Sequence, residues 1–554
     1  MNKKLTYLLL LLTIISGGVI FTSTRVLNEN DENLFEISKN IRVMTGVYEK
    51  LNTYYVDEPV PGKLMKTGID AMLASLDPYT VYIPQSKIED YRYMTTGQYG
   101  GIGSLIQKHG DYIVISEPYE NSPAAKAGLK AGDILLEVDG EDVTDKEVPD
   151  MSLYLKGGPG TDVTIKYKRG TIINEVTLKR EEIKVPDVPY FGMLDDKTGY
   201  VKLNSFTQTA SQEVGSAIHH LIDSSGMTQL VFDLRGNGGG LLHEAVNIVN
   251  FFVPKGELVV ETKGRLSEMN REYKTLNNPI DVNMPIVVLI DDHSASASEI
   301  VSGSLQDLDR AVIVGETSYG KGLVQQTKDL EFGSMVKLTV AKYYTPSGRC
   351  IQKLDYSNKN ELGEVAEVHD SLIATFKTKN GREVKDGRGV DPDVQIPAEF
   401  LSVLSTELVI GHHIFDFATE YETKHTSIDK AKSFRLSDQE YIDFVNFVKL
   451  KDVHHTSQSM ELMNELKEIA KDEKYYEDSK EEFEALFIKL TPSLESDLMR
   501  YKDEIKEILE SEIVSRYYYS SGRLENALDQ DEYISIALEV LNDSGRYSKI
   551  LSGE

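Results

Sequence analysis

Three short runs, 230–234 (LVFDL), 286–290 (IVVLI) and 312–314 (VIV), are apolar at almost every position and rich in β-branched residues. A strand without a polar face has to be covered on both sides, which is the condition of a parallel sheet with helices packed over it. Between Val185 and Pro397 such runs alternate with amphipathic stretches, so the chain predicts strand, helix, strand crossovers and parallel pairing. In that arrangement the C-terminal ends of neighbouring strands meet on one edge, where α/β proteins gather their ligands and catalytic groups.

A chain of 554 residues exceeds what one hydrophobic core organises. The texture divides it into residues 1–25, a helical module at 34–95, a β-rich domain at 96–182, the α/β core at 183–397 and an acidic helical region at 398–554. In the helical module Ile37, Ile41, Met44, Val47 and Leu51, then Leu64, Ile69, Met72 and Leu73, recur at helical spacing, and Asp77-Pro78 closes it. In the β-rich domain β-branched runs such as 112–116, 134–138 and 163–167 are separated by glycine turns. Beyond Pro397, Leu462, Leu466 and Ile469 and then Ile505, Leu509 and Ile513 keep a helical rhythm, without a chemical motif.

Residues 401–554 carry 18 basic against 33 acidic residues, about half of the net charge of -29. That balance argues against nucleic acid as a partner, because phosphate binding needs clustered Lys and Arg. Met1 to Lys4 followed by an apolar stretch to Phe21 reads as an export signal or a membrane tether. The remainder is then expected outside the cytoplasm, in the periplasm or on the outer face of the inner membrane. A single cysteine, Cys350, forms no intrachain disulfide, so stability has to come from packing.

The chemistry-bearing pattern begins after the 286–290 strand, where a small-residue turn, Ser294-Ala295-Ser296-Ala297-Ser298-Glu299, opens a helix. Unpaired amides at a helix start carry positive potential and suit a developing oxyanion, although such serines also cap helices with no catalytic role. The 312–314 strand runs into Gly315-Glu316-Thr317-Ser318-Tyr319-Gly320-Lys321-Gly322. The crossover should bring both strand ends together and let Ser296 and Lys321 meet. As a base Lys321 needs a lowered pKa, hence burial among Gly320, Gly322, Leu323 and Val324. Gln325 shares a face with Lys321 in an extended segment and could orient its amine, or simply face solvent. The loop Arg235-Gly236-Asn237-Gly238-Gly239-Gly240 follows another buried strand; it offers backbone amides to a substrate or is simply a tight turn.

Three other chemistries fit less well. The span from Gly315 to Lys321 matches a phosphate loop, but Gly322 replaces the Ser or Thr that holds magnesium, and the residues after it alternate like a hairpin. A Ser-His-Asp triad would recruit His293 with Asp233 or Asp291, a histidine awkwardly close to Ser296 along the turn. The pairs His412-His413 and His454-His455 lack metal-ligand spacing, so neither metal nor cofactor is expected.

Through Ser294 to Ile300, Gly320-Lys321-Gly322-Leu323-Val324-Gln325 and Asp233 to Gly240, the chain resembles the tail-specific, or carboxyl-terminal processing, serine proteases. Its β-rich segment is similar to their PDZ domain, with Gly100-Gly101-Ile102-Gly103 and the run from Ser122 to Leu129, and the likeness spans roughly residues 34–397. The resemblance implies a crotonase-like core, an αβ spiral with the PDZ domain inserted, in a multidomain α/β and β chain. It implies Ser296 as nucleophile, Lys321 as general base, Gln325 as the group that positions Lys321, and Ala297 and Gly239 as backbone oxyanion donors. Gly101, Ile102 and Gly103 would receive the carboxylate of an apolar protein C-terminus. The partners implied are protein or peptide substrates, with a homo-oligomer also compatible. The rival reading is a PDZ scaffold whose protease core is inactive, and the acidic C-terminal region is expected to bind partners or assemble protomers.

Overall fold

The runs 286–290 and 312–314 lie next to each other in parallel, with Val287 opposite Val312 and Ile290 opposite Gly315. A computed structural model describes residues 33–359, 365–453, 458–491 and 493–553. The export or anchor segment and the pair His454-His455 lie outside the described residues. The chain separates into two compact units, one ending at Tyr82 and the other running from Ile83.

In the first unit, helices at 33–54 and Pro61–Ala74 follow the expected periodicity, the second starting on a proline that pre-sets the helical φ. The stripe of Ile37, Ile41, Met44, Val47 and Leu51 is exposed. The helical module expected at 34–95 does not stay together, since helix Ile88–Thr96 belongs to the second unit. Periodicity identifies a helix but not the body it packs on.

The core sheet of the second unit has six strands in the order Tyr190–Met193, Thr198–Lys202, Gln229–Asp233, Ile286–Ile290, Val312–Gly315 and Val394–Gln395. The first pair is antiparallel and the rest are parallel. Successive side chains on a strand point to opposite faces. Leu230, Phe232, Ile286, Val288, Ile290 and Ile313 therefore pack on one side with residues of helices Ala210–Ser225, Leu242–Val249 and Ala297–Asp307. Val231, Val287, Leu289, Val312 and Val314 face the other way.

That second face is covered by Ile534, Ala537, Val540 and Leu541 of helix Glu532–Asn542, from the far end of the chain. The last helices of the acidic C-terminal region thus form the third layer of the α/β core. The rest of that region packs around its own cluster, including Leu404, Phe417, Phe444, Leu509 and Ile513.

The β-rich segment forms an antiparallel sheet of Ser104–His109, Tyr112–Pro118, Ile134–Val138, Asp162–Arg169 and Ile172–Lys179 with the short strand Glu141–Asp142. Helix Val148–Leu155 contributes Met151 and Leu155 to its core beside Ile113, Ile115, Leu135, Val163 and Ile165. After Lys321 the chain continues as strand Leu323–Asp329, hairpinned onto Met335–Tyr344, and not as the helix a phosphate loop requires.

Candidate active site

The turn after strand Ile286–Ile290 is stitched to the glycine loop before it reaches Ser296. The Ser294 hydroxyl donates to Leu234 O at 2.9 Å and the Ser298 hydroxyl to Asn237 O at 2.8 Å, both buried. Ala295 N–H also donates to Asn237 O. With its two neighbouring serines occupied in this way, Ser296 is the hydroxyl of the three that lines a cleft of about 700 Å³. Its backbone sits at φ 57°, ψ -107°, a sparsely populated region for a residue with a side chain. Helix Ala297–Asp307 starts immediately after it, and every residue of that helix is buried.

Glu299 holds this geometry. Its buried carboxylate accepts N–H bonds from Ser296 at 2.7 Å, Gly320 at 2.7 Å and Lys321 at 2.9 Å, and the Ser318 hydroxyl at 2.6 Å. One side chain thus ties the Ser296 turn to the loop that carries Lys321. Burial pushes its carboxyl pKa up, and the four hydrogen bonds pull against that shift. On the other side, the buried Tyr343 hydroxyl donates to Ser296 O at 3.0 Å.

Lys321 and Gln325 line the same cleft as Ser296 and Ala297. Lys321 is partly buried. The Gln325 amide donates to the Thr339 hydroxyl on the paired strand at 3.3 Å.

Gly239 also lines the cleft, at φ 100°. A Cβ there would come within 2.7 Å of Ala295 O and 2.8 Å of Ser296 Cβ, so the close approach of the two loops requires glycine. Its N–H donates to Asn237 Oδ1 at 2.9 Å, whereas Ala297 N–H belongs to the first residue of the helix.

Upstream of this loop Asp233 is fully buried. Burial opposes its ionisation, but Arg235 and Lys202 prevail and hold the carboxyl well below the usual range. Helix Ile88–Thr96 brings Tyr91, Tyr93, Met94 and Thr95 into the cleft lining, and Tyr91 hydrogen-bonds the Thr327 hydroxyl.

His293 is exposed, bonded to Asp292, and absent from the cleft lining, so no Ser-His-Asp triad assembles around Ser296. Asp291 instead accepts Gly236 N–H, and its Oδ1 lies 2.9 Å from the Ser294 hydroxyl oxygen. Asp291, Asp292 and His293 form the one cluster with metal-binding spacing among the described residues, outside the cleft lining. The Cys350 thiol is pushed up by burial and does not line the cleft.

A second groove, of about 210 Å³, lies between strand Ser104–His109 and helix Val148–Leu155. Ile102, Leu105, Ile106, Val148 and Leu155 give it an apolar lining. Of the three residues expected at the carboxylate loop, Ile102 lines this groove. Gly103 shapes the adjoining turn at φ 72°, where a Cβ would fall 2.5 Å from Ser122 Cβ. Tyr93 borders both the groove and the cleft.

Sequence reasoning did not single out Glu299, although its signal was present: a Ser with Glu three residues on is a capping box. Tyr343 had no local signal, since its hydroxyl meets Ser296 through the tertiary fold.

Family models match three stretches: "Peptidase family S41" at residues 197–358, "PDZ domain" at 114–169 and "Probable PDZ-protease, C-terminal helical domain" at 404–541. The chain is 34% identical over 343 residues to a carboxy-terminal-processing protease of Bartonella bacilliformis, covering 61% of this chain and 78% of that one. It is 34% identical over 338 residues to a "Probable CtpA-like serine protease" of Staphylococcus aureus, covering 60% of this chain and 66% of the relative. Among solved structures, a photosystem II D1 C-terminal processing protease aligns at 28% identity over 67% of this chain and 96% of that one, with a TM-score of 0.36. The chain belongs to the carboxy-terminal-processing serine peptidases of family S41 and carries their PDZ domain.

Proposed function

We propose that the protein is an exported endopeptidase that holds apolar C-terminal tails in its PDZ groove and cleaves with Ser296 and Lys321. The observation that carries this reading is that Ser296, strained at a helix start, and Lys321 line one cleft while their backbones hang from the same carboxylate of Glu299. On this reading the core is the crotonase-like αβ spiral of the family.

In the reaction, neutral Lys321 Nζ takes the proton of Ser296 Oγ as the oxygen attacks the scissile carbonyl carbon. Negative charge develops on the carbonyl oxygen against Ala297 N–H and Gly239 N–H, the latter shared with Asn237. The C–N bond breaks as Lys321 returns the proton to the departing amine, and water then hydrolyses the acyl-enzyme. A substrate lying in the cleft adds to the burial of Lys321 and so favours its neutral, proton-accepting form. Gln325, on the same wall, orients the amine.

Apolar residues of the groove receive the substrate tail, which adds beside strand Ser104–His109 with its carboxylate toward the turn at Gly101 to Gly103. The basic and apolar stretch from Met1 to Phe21 supports the reading of an exported enzyme acting outside the cytoplasm.

Cleavage of an unstructured protein with an apolar C-terminus tests the dyad. S296A and K321A should both abolish it, and retained cleavage in both refutes the assignment. A peptide with a free C-terminus should be cut faster than its amidated form, whereas equal rates refute tail recognition.

A further inference from the structure

The two loops of the proposed site are also joined away from the cleft lining, by the start of a helix from the C-terminal region. Asp531 caps helix Glu532–Asn542, its Oδ1 accepting N–H bonds from Tyr533 at 2.9 Å and Ile534 at 3.2 Å. The same carboxylate receives Arg235 through both Nη atoms, at 3.1 and 2.7 Å. Arg235 is the residue immediately before the glycine loop, and its guanidinium also bonds Asp233 and lies 4.7 Å over the Tyr533 ring. The Tyr533 hydroxyl donates to Glu316 Oε1 at 2.7 Å, in the loop that carries Lys321. The edge of that ring packs on Gly315, where a Cβ would lie 3.2 Å from Tyr533 Cε1.

We propose that Asp531 and Tyr533 are positioning residues for peptide hydrolysis: this helix start sets the spacing between the glycine loop and the lysine loop. The inference rests on the Ser296 and Lys321 reading. A loop with glycine at 236, 238, 239 and 240 has wide backbone freedom, so its placement depends on what it is tied to. Both ties lie at its N-terminal side: Asn237 O holds it to the Ser296 turn, and Arg235, two residues earlier, holds it to Asp531. The helix providing that second tie is anchored by Ile534, Ala537, Val540 and Leu541 on the core sheet. The C-terminal region therefore reaches both halves of the site through a rigid element, without lining the cleft.

Two variants isolate this role from folding. D531N keeps a side-chain oxygen that caps a helix as well as aspartate does, but removes the charge that faces Arg235. Y533F keeps the ring on Arg235 and Gly315 and removes only the bond to Glu316. With a peptide bearing a free apolar C-terminus, each should lower kcat about tenfold, the scale of a sub-ångström to 1 Å misplacement of catalytic groups. KM should stay within about twofold and the unfolding midpoint within about 2 °C, the signature of lost alignment without lost binding or fold. Y533F combined with E316Q should lose no more than Y533F alone, since the two remove one bond.

Unchanged kcat in both variants overturns the proposal, as does a loss of activity that tracks a fall in the unfolding midpoint. If D531N does not fold, Y533F decides alone. S296A measured in parallel separates the two levels: persistent cleavage by S296A refutes the dyad, whereas inactive S296A with fully active D531N and Y533F refutes only the positioning role.

Discussion

The carboxylate of Glu299 accepts the backbone N–H of Ser296, three residues before it, at 2.7 Å, and so fixes the strained turn that presents the serine. The same group accepts the Lys321 N–H at 2.9 Å. Two loops from adjacent parallel strands are thereby referenced to one buried point, and neither can shift without breaking a charge-assisted bond.

Removing this anchor should be severe. E299A leaves three backbone donors and the Ser318 hydroxyl without their acceptor, and unpaired buried donors cost about 1–3 kcal/mol each before relaxation. Loss of at least about 3 kcal/mol in urea unfolding, with kcat down more than about 100-fold, is expected. E299Q should be milder in stability but similarly inactive, since its NH₂ opposes donors. The raised carboxyl pKa means the folded state binds this proton more readily than the unfolded chain does. The wild-type contribution therefore declines as pH rises from about 4.5 through the folded value, a slope that E299Q removes.

Gly239 tests the contact between the loops. In G239A the new methyl meets Ala295 O at 2.7 Å and Ala297 N at 2.9 Å, and φ 100° is itself strained for alanine. A kcat loss of about 100-fold is expected, with tail binding to the PDZ groove unchanged by fluorescence anisotropy. Wild-type kcat in G239A would contradict the tight approach.

Y343F deletes only the hydroxyl that donates to Ser296 O, and keeps a fully buried ring. Stability should fall by about 1 kcal/mol, the net worth of one such bond, and kcat by about tenfold. Equal effects on an unrelated substrate would be expected, because the bond holds the Ser296 turn and not the PDZ groove.

Where the PDZ sheet meets the helical region, His109 Nε2 bonds Asp416 Oδ1 at 2.7 Å and its ring stacks 4.7 Å from His412. The bond to Asp416 raises the His109 pKa above its ordinary 6.5, so its contribution is complete below 6.5 and is lost as pH rises through the folded value. Burial lowers His412 and His413, whose contributions run the other way and are lost as pH falls below 6.5. Protection from hydrogen exchange at the 104–113 hairpin, corrected for the base catalysis of exchange itself, should fall above about pH 6.5 in the wild type. H109Q should flatten that loss of protection and leave the acid side intact.

Much of the site could be read along the chain. Apolar runs without a polar face identified strands buried on both sides, and their parallel order identified the edge where Ser296 and Lys321 gather. Small residues around 294–298 and 236–240 marked places where backbones approach closely, as Gly239 requires. These features are legible because they depend on side-chain size and apolarity at a given position.

What only the tertiary structure decided concerns partners distant in sequence. Periodicity shows that Val231, Val287 and Val312 need cover but not that helix Glu532–Asn542 provides it. Residue type shows that Tyr343 and Asp531 can hydrogen-bond but not that they reach Ser296 and Arg235. Lys321, expected to be buried by its small and apolar neighbours, is only partly buried, because burial depends on what lies across the cleft. The sequence by itself determined the three central strands of the sheet and the two candidate loops that follow them; the flanking strands and the alignment of the loops were decided by long-range hydrogen bonds and packing, whose partners meet only when the chain folds.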